Sequence, residues 1–376
     1  MLHSFEIAVS LTDVCIVNHS GGEGKKRWLG AAEKLRYNFL KRLPFVNEKK
    51  NSQPILRRMT PGLILGFLVL LGLALMGDLR QVGQAMRTFD WRVYPAALGL
   101  TLFNYTLRFV KWHYYLHVIG IHHINWVESL RMFVGGFPLA ITPGKVGEVL
   151  KGVWINQRSG LPVARGVSVV VAERISDGLA VMALSVLGVV AYPQYWPAFV
   201  IILIGLLAVL VLAQVRPAAL WALGVGERLP LVKRFIGTVR EFYEGSYMLF
   251  QPAPTAVAVG LGTISWLGEG VGFYFILLGL GLEPSWQLLS LAVFILAFST
   301  VVGAVSALPG GMGAAEVSIA GMLTLLGGLE PAQATTATVL IRLATLWFGI
   351  LLGLGMWAVS PQLIGLRSAY DPSAQD

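Results

Sequence analysis

Long apolar runs separated by short polar stretches dominate the chain after residue 58. A helix needs roughly 20 apolar residues to cross about 30 Å of hydrocarbon, so runs of this length predict transmembrane helices. The continuous runs are 61–79, 93–117, 166–191, 195–215, 254–280, 286–307 and 332–358, and the interrupted ones are about 126–157 and 309–328. The pattern predicts an all-α, polytopic transmembrane helix bundle of about 7–8 spans, with two broken or re-entrant segments from an internal duplication.

The first interrupted segment affects the topology of the chain. If residues 126–157 crossed the membrane completely, the basic stretch 216–251 would lie outside, against the positive-inside rule. We therefore expect a broken or re-entrant segment that returns to its own side. The chain then divides into repeat units at about 61–215 and 252–358, joined by a basic hinge loop at 216–251. The pattern leaves open whether the repeats are parallel or inverted.

Composition agrees with a membrane protein. Of the 376 residues, 55% are hydrophobic and only 13% are charged, which is too little charge for a soluble surface. Charge is concentrated in a basic N-terminal segment, residues 1–58, and the transmembrane domain covers 59–360 before a short polar tail at 361–376. By the positive-inside rule, the basic segment predicts a multi-pass protein of the cell (plasma) membrane with a cytoplasmic N-terminus.

Within the basic segment, apolar residues recur at helical spacing. They are Trp28, Ala32, Leu35, Phe39 and Leu43. This spacing fits an amphipathic helix on an anionic inner leaflet, and a solvated basic linker is an equally good interpretation. Nucleic acid is not an expected partner, because a basic strip beside a membrane span already has lipid headgroups to contact.

Two proline-glycine motifs stand where the apolar segments break. Pro143-Gly-Lys-Val-Gly-Glu148 lies in the first segment and Pro309-Gly-Gly-Met-Gly-Ala-Ala-Glu316 in the second. In each copy an arginine follows the glutamate after 26 residues, as Arg174 (174 − 148) and Arg342 (342 − 316). A duplicated break flanked by ionisable residues in a membrane chain is typical of a substrate site between two repeats.

The breaks have a physical consequence for ligand binding. Proline and glycine end one helix and let another begin, and the new N-terminus carries unpaired amide groups that favour an anion such as phosphate. The candidate substrate-binding residues are Pro143, Gly144, Lys145, Gly147, Glu148, Lys151, Glu173, Arg174 and Asp177 in the first copy, and Pro309, Gly310, Gly311, Gly313, Glu316 and Arg342 in the second. The lysine-flanked first copy is the expected headgroup binder, whereas the glycine-rich second copy is expected to serve as a moving or close-packing half.

Ionised side chains inside a bilayer are costly, so those that persist usually face a partner or a cavity. Glu148 with Arg174, and Glu316 with Arg342, are the pairs that the spacing favours first. Glu173 and Asp177 lie four residues apart on one helix face, and scaffolding is an even alternative to substrate contact for them. Tight helix crossing is the alternative for the glycines of the second motif. Arg108, Lys111 and Glu269 are further intramembrane charges, and the first two also fit an anchoring role at a helix end.

These motifs resemble the transmembrane domain of lysylphosphatidylglycerol synthases, which also occurs alone in flippase-like membrane proteins. The resemblance rests on Pro143 to Glu148, on Glu173, Arg174 and Asp177, and on Leu308 to Glu316 followed by Arg342. It covers roughly residues 58–358 and implies a domain that moves aminoacylated phospholipids between leaflets. Because the chain ends about 18 residues beyond the last predicted span (376 − 358), we expect no soluble aminoacyl-transfer domain and no lysyl transfer.

Three functions fit these observations. The first is a flippase or transporter for a phospholipid or another phosphate-bearing lipid, in which Glu148 and Glu316 change ionic partners or carry protons. The second is a membrane-embedded transferase for a lipid or polyprenyl phosphate, with Glu148, Glu173 or Asp177 as base. The third is a non-catalytic partner of a separate lipid-modifying enzyme. We rank the flippase first and expect membrane lipids with anionic or zwitterionic headgroups as partners.

Signals for cofactors are weak. His113, His117, His122 and His123 are spaced closely enough to suggest a metal, but histidines beside interfacial aromatic residues more often belong to an aromatic belt. The single cysteine, Cys15, excludes a disulfide framework. The sequence therefore predicts no metal site and no cofactor.

Overall fold

The computed structural model describes residues 79–142, 147–191, 196–228 and 235–364, together with scattered residues between 60 and 72. The α-helices before residue 230 are α1 (Leu79–Thr88), α2 (Tyr94–Val118), α3 (Trp126–Gly135), α4 (Val149–Ser159), α5 (Val163–Ala191), α6 (Trp196–Gln214) and α7 (Arg216–Arg228). Those after it are α8 (Ile236–Leu249), α9 (Pro252–Gly279), α10 (Trp286–Val305), α11 (Ala314–Leu325), α12 (Pro331–Arg342) and α13 (Phe348–Val359). No strand occurs in these ranges. The chain is thus all-α, as predicted.

The apolar runs form helices close to their predicted bounds. Among the described residues, three helices are long and apolar enough to cross a membrane: Pro252–Gly279, Trp286–Val305 and Pro331–Val359. On α6, Ile201 and Leu212 are each 70% exposed, an arrangement suited to contact with lipid tails rather than water. Most of the run 61–79 and all of the basic segment 1–58 lie outside the described residues, and so does the proposed amphipathic helix.

The first interrupted segment is broken, as predicted. It consists of α3, a short 3-10 helix at Phe137–Ile141, and α4. Asn125 starts α3 because its side chain accepts the backbone N–H of Glu128 at 2.9 Å and so caps the helix. The second interrupted segment has the corresponding order, with a 3-10 helix at Pro309–Gly311 followed by α11.

The prediction of a hinge loop at 216–251 is wrong in its secondary structure, since α7 and α8 occupy most of this stretch. Its charges pair along and between helices instead of marking a loop. Arg165 of α5 contacts Glu241 of α8 at 2.7 Å, and Arg216 of α7 contacts Glu244 of α8 at 3.4 Å. Helix α8 also buries Gly245, Ser246 and Leu249 on a neighbouring face, so it is amphipathic. Its role as a hinge between repeats stays a prediction.

Helix α9 packs against α2, α5 and α10. Its glycines allow this close approach: a Cβ on Gly268 would lie 2.9 Å from Phe103 of α2, and one on Gly270 would lie 2.8 Å from Val293 of α10. Small residues at such contacts are typical of membrane helix packing, where van der Waals contact replaces the hydrophobic driving force. This packing brings the buried polar residues of α2, α5 and α9 together.

The internal duplication extends to helix lengths. Helix α5 has 29 residues, and the segment Pro331–Val359 also has 29. Each begins 15 residues after the glutamate of its motif (163 − 148 and 331 − 316). The two differ in one respect, because Leu343–Trp347 of the second segment is a π-helix that joins α12 to α13. The hydroxyl of Tyr105 on α2 donates to the Thr345 carbonyl in this turn at 2.7 Å.

Candidate functional site

The first copy of the motif joins α4 to α5 through an ion pair. Glu148 precedes the first residue of α4, and Arg174 lies in the first half of α5. Gly160 adopts φ 75° at the end of α4, which lets the chain turn so that α5 packs back against α4. Arg174 Nε donates to Glu148 Oε2 at 3.1 Å, as the spacing predicts.

The second copy repeats this pair with more contacts. Arg342 Nε donates to Glu316 Oε1 at 2.5 Å, and Arg342 Nη2 donates to the Gly310 carbonyl at 3.0 Å. The other carboxylate oxygen of Glu316 accepts the backbone N–H of Gly313 at 2.6 Å, so Glu316 also caps α11. The arginine therefore ties the end of α12 to both sides of the break.

The two pairs differ in exposure. The Arg174 side chain is 41% exposed, whereas the Arg342 side chain is 13% exposed. The glutamates are buried in both copies, at 7% for Glu148 and 3% for Glu316. In the described part of the chain, Arg174 makes a single hydrogen bond, which leaves its terminal guanidinium nitrogens for another acceptor. The first pair is open to a ligand, and the second is closed.

The two breaks meet, as the duplication predicts. The 3-10 helix at Phe137–Ile141 packs against the one at Pro309–Gly311. Ile141 is fully buried in this contact, where a Cβ on Gly310 would lie 3.5 Å from its Cγ2. The ends of the two broken segments are therefore neighbours in the centre of the bundle.

Glycine packing dominates the second break. Gly311 has φ 67°, and a Cβ there would lie 2.9 Å from the Gly303 Cα of α10. Gly313 has φ 89°, but a Cβ would meet nothing closer than 3.7 Å. Gly311 thus fits the alternative of tight helix packing. Gly313 instead fits a position whose positive φ favours glycine. These contacts agree with a close-packing role for the second copy.

A buried ion network connects α2, α4 and α5. Lys111 Nζ lies 2.5 Å from Asp177 Oδ1, and Arg108 Nη2 lies 3.1 Å from Glu173 Oε1 and 3.4 Å from Asp177 Oδ2. Lys151 of α4 also belongs to this network, because its Nζ lies 3.4 Å from Glu173 Oε2. Such a closed network of opposite charges fits the scaffolding alternative for Glu173 and Asp177.

The anchoring role suggested for Arg108 and Lys111 is wrong. Lys111 is fully buried and the Arg108 side chain is 12% exposed, so both lie inside the bundle rather than on its outer surface. Their partners on α5 hold them inside the bundle. The sequence already indicated that these two helices could pair through their charges. Arg108 and Lys111 are three residues apart on one helix, and Glu173 and Asp177 are four apart on another.

Lys151 lies against aromatic rings as well as Glu173. Its ammonium is 4.9 Å from the Trp112 ring centroid and 5.4 Å from that of Phe133, a cation–π arrangement. A Cβ on Gly136 would lie 2.2 Å from its side chain, so this glycine makes room for the lysine. Glu148 and Lys151 both contact residues of α5.

Three predicted residues of the first break, Pro143, Gly144 and Lys145, lie outside the described part of the chain. Gly147 is described, and its N–H donates to the Thr142 hydroxyl at 2.9 Å. Pro309 begins the 3-10 helix of the second break.

The histidine rings contact one another edge-on, and one of them contacts an aromatic neighbour at a tilt. The His113 ring centroid is 4.6 Å from that of His117 and 4.3 Å from that of Trp126, and His117 lies 5.2 Å from His122. Within the described ranges, no group of three His, Cys, Asp or Glu residues is placed to hold a metal ion.

Comparison with known proteins places these features in a family. Over 308 residues the chain is 25% identical to a UPF0104 membrane protein of Methanothermobacter thermautotrophicus, covering 77% of this chain and 90% of the relative. It is also 25% identical over 320 residues to a UPF0104 membrane protein of Pyrococcus horikoshii, covering 77% of this chain and 94% of that relative.

Residues 63–353 match the family described as the lysylphosphatidylglycerol synthase TM region. The match begins before α1 and ends within α13, so it includes both breaks and both ion pairs. The resemblance predicted from the motifs is confirmed. The chain is an integral membrane protein that belongs to the lysylphosphatidylglycerol synthase TM region family.

Proposed function

We propose that this protein is a flippase-like transporter that moves a phosphate-bearing lipid, such as a phospholipid, between the two leaflets. The observation that carries the proposal is the contact between the two broken segments. The glutamate of each segment pairs with an arginine on the helix that follows, and one of these two arginines, Arg174, is exposed. Broken helices that meet at a repeat interface are a common substrate site in membrane transporters.

The first copy supplies the chemistry for the headgroup. Among the described residues, Arg174 donates only through Nε, and planar guanidinium donors of this kind recognise phosphate through paired hydrogen bonds. The N-terminus of α4 begins beside Glu148 and adds the partial positive charge of a helix N-terminus. A lipid phosphate at this position would compete with Glu148 for Arg174, which gives the pair two alternative states.

The second copy is held in place by its own contacts and serves as a fixed support for the first copy. Arg342 is bonded to Glu316 and to the Gly310 carbonyl, and Gly311 packs on Gly303. These contacts fix the second break, so movement of a headgroup is expected to change the first copy more than the second. The buried network of Lys111, Asp177 and their neighbours holds α2 against α5 during this change.

A leaflet-accessibility assay tests the proposal. The full chain is reconstituted into vesicles that contain fluorescent phospholipids with anionic, zwitterionic or uncharged headgroups, and loss of label from the outer leaflet is followed over time. We expect at least one phosphate-bearing lipid to equilibrate faster than in empty vesicles. The proposal fails if no lipid moves faster. The appearance of a new lipid species in the same vesicles would instead favour a transferase.

A further inference from the structure

Glu269 is a buried carboxylate that has no pairing partner in the described part of the bundle. It lies on α9 and is 5% exposed, yet it makes no hydrogen bond or ion pair with any residue that the structure describes. Helix α9 packs against α2 and α5, which carry the ion network, and against α12, which carries Arg342 of the second motif. An ionised carboxylate without a partner in a low-dielectric interior is far more costly than its protonated form.

Several other titratable groups on the described helices around α9 already have partners. On α2, the Tyr105 hydroxyl is already donated to Thr345. Helix α10 carries no ionisable residue in its sequence. On α8, Glu241 and Glu244 are paired with arginines of α5 and α7.

A second orphan group lies beside the same turn of α9. Asn104 of α2 is fully buried, and its Nδ2 donates to the Ser265 carbonyl at 3.0 Å. That carbonyl is one helical turn before Glu269, since helical bonds join residues four apart. The Asn104 Oδ1 atom accepts no hydrogen bond from the described part of the protein. This turn of α9 therefore faces two side chains, Asn104 and Glu269, that each have a buried oxygen acceptor without a donor among the described residues, and a proton on Glu269 removes the costlier of the two.

The ion network, the two Glu–Arg pairs and Glu269 make up a charged cluster among the described residues, and its net charge depends on Glu269. The positive members are Arg108, Lys111, Lys151, Arg174 and Arg342, and the negative ones are Glu148, Glu173, Asp177, Glu269 and Glu316. Five against five gives zero when Glu269 is ionised (5 − 5) and +1 when it is protonated (5 − 4). One proton therefore gives the cluster the charge that an anionic headgroup requires.

We propose that Glu269 is a proton-binding site that couples protonation to binding of the lipid phosphate. This inference rests on the proposed function for its lipid partner, but the proton site itself does not. Protonation of Glu269 favours the anionic headgroup, and by linkage the bound headgroup favours the proton. Release of the proton returns the cluster to neutrality and weakens the hold on the phosphate. The carboxylates of Glu148 and Glu316, in contrast, are engaged by arginines.

Infrared spectroscopy tests the proton site without any lipid movement. The full chain in detergent is titrated with acid while the carbonyl band of protonated carboxylic acids is recorded. We expect one band that is absent from Glu269→Gln and shifted in Glu269→Asp. The band should be unchanged in the control Glu128→Gln, which alters a partly exposed acid of α3 that is paired with Arg158. If Glu269→Gln fails to fold, the band shift in Glu269→Asp tests the proton site instead, because this variant keeps an acid at the position. Spectra that are the same in wild type and in every Glu269 variant would overturn the proton site.

Vesicles at a series of pH values test the coupling. For an anionic phospholipid, the wild-type rate is expected to fall as pH rises, by up to about tenfold per pH unit, the limit for one proton. Glu269→Gln is expected to lose this slope. Lipid movement in the wild type with no pH slope overturns the coupling and leaves the transport proposal intact. The infrared band without any lipid movement leaves the proton site intact and refutes transport. A rate that follows Na⁺ concentration at constant pH would assign Glu269 to a metal cation and overturn the proposal.

Discussion

Lys111 and Asp177 form a 2.5 Å ion pair between α2 and α5, and their side chains are 0% and 8% exposed. A buried pair of this kind is costly to break, because the remaining charge has lost its water as well as its partner. We expect Lys111→Met to destabilise the protein by about 3–5 kcal/mol. Thermal unfolding in detergent, followed by intrinsic tryptophan fluorescence, measures the loss.

The double variant Lys111→Met with Asp177→Asn is the matched control for that prediction. It removes both charges, so part of the lost stability should return, with a coupling energy of about 0.5–3 kcal/mol. Strictly additive effects of the two single changes would show that the pair contributes no interaction of its own.

Arg342 and Arg174 should differ in what they contribute to stability. Arg342→Ala leaves a buried Glu316 without its arginine, which should cost about 3 kcal/mol. Arg174→Ala disrupts a pair whose arginine is 41% exposed, so solvent screening reduces the expected cost to about 1 kcal/mol. The ratio of the two unfolding shifts in detergent is the measurement. Equal shifts would contradict the division into a closed and an open copy.

Arg174 should matter more for lipid movement than for stability. Arg158 is a matched control, because its side chain is also 41% exposed and it makes one ion pair, with Glu128 at 2.8 Å. We expect Arg174→Ala to slow phospholipid equilibration by at least about tenfold, the loss of one charge-assisted hydrogen bond of about 1.4 kcal/mol or more. Arg158→Ala should retain the wild-type rate. Equal slowing by both changes would point to a general effect of surface charge.

Glu148→Gln separates charge from shape in the first copy. It keeps the size of the side chain but removes the anion that competes with phosphate for Arg174. We expect tighter binding of the phosphate headgroup and slower release, so that binding and equilibration rate change in opposite directions. Binding of a labelled phospholipid in detergent and movement in vesicles are measured on the same preparation. A parallel fall in both would indicate that Glu148 only holds Arg174 in place.

Gly311 tests the close packing of the second break. Gly311→Ala introduces a Cβ that would lie 2.9 Å from the Gly303 Cα, at a residue with φ 67°. The strain of the backbone and the overpacking together should cost about 2–4 kcal/mol. Gly321→Ala on α11 is the control, since a Cβ there meets nothing within 4 Å. Its unfolding temperature should remain near the wild-type value or rise, because alanine favours a helix.

The ion pairs that sequence predicts well are those set by a local turn. Glu148 and Arg174 lie 13 residues on either side of Leu161 (161 − 148 and 174 − 161), and Glu316 and Arg342 lie 13 residues on either side of Leu329 (329 − 316 and 342 − 329). Two helices joined at such a midpoint bring residues at equal distances together. The repeated spacing alone therefore predicts both contacts.

Pairs between distant helices follow no such rule. Lys111 and Asp177 are separated by 66 residues, and nothing local fixes how α2 rotates against α5. Glu269 is recognisable in the sequence as an intramembrane charge, but its lack of a partner among the described residues depends on how α2, α5, α9 and α12 pack. The helices α7 and α8 escape prediction for another reason, because their charges suggest a loop but mark one face of an amphipathic helix.

The π-helix at Leu343–Trp347 makes the two halves of the duplication non-interchangeable parts. A π-turn holds more residues per turn than an α-helix, so every residue beyond it is rotated by about 100°, one residue's worth, relative to its counterpart in the first half. The two halves keep equal spacing along the chain, but past Trp347 equivalent positions no longer lie on the same face. A chimera that carries 180–191 in place of 348–359 would therefore turn each side chain by about 100° from its orientation in α5, so the two halves cannot be exchanged without repacking.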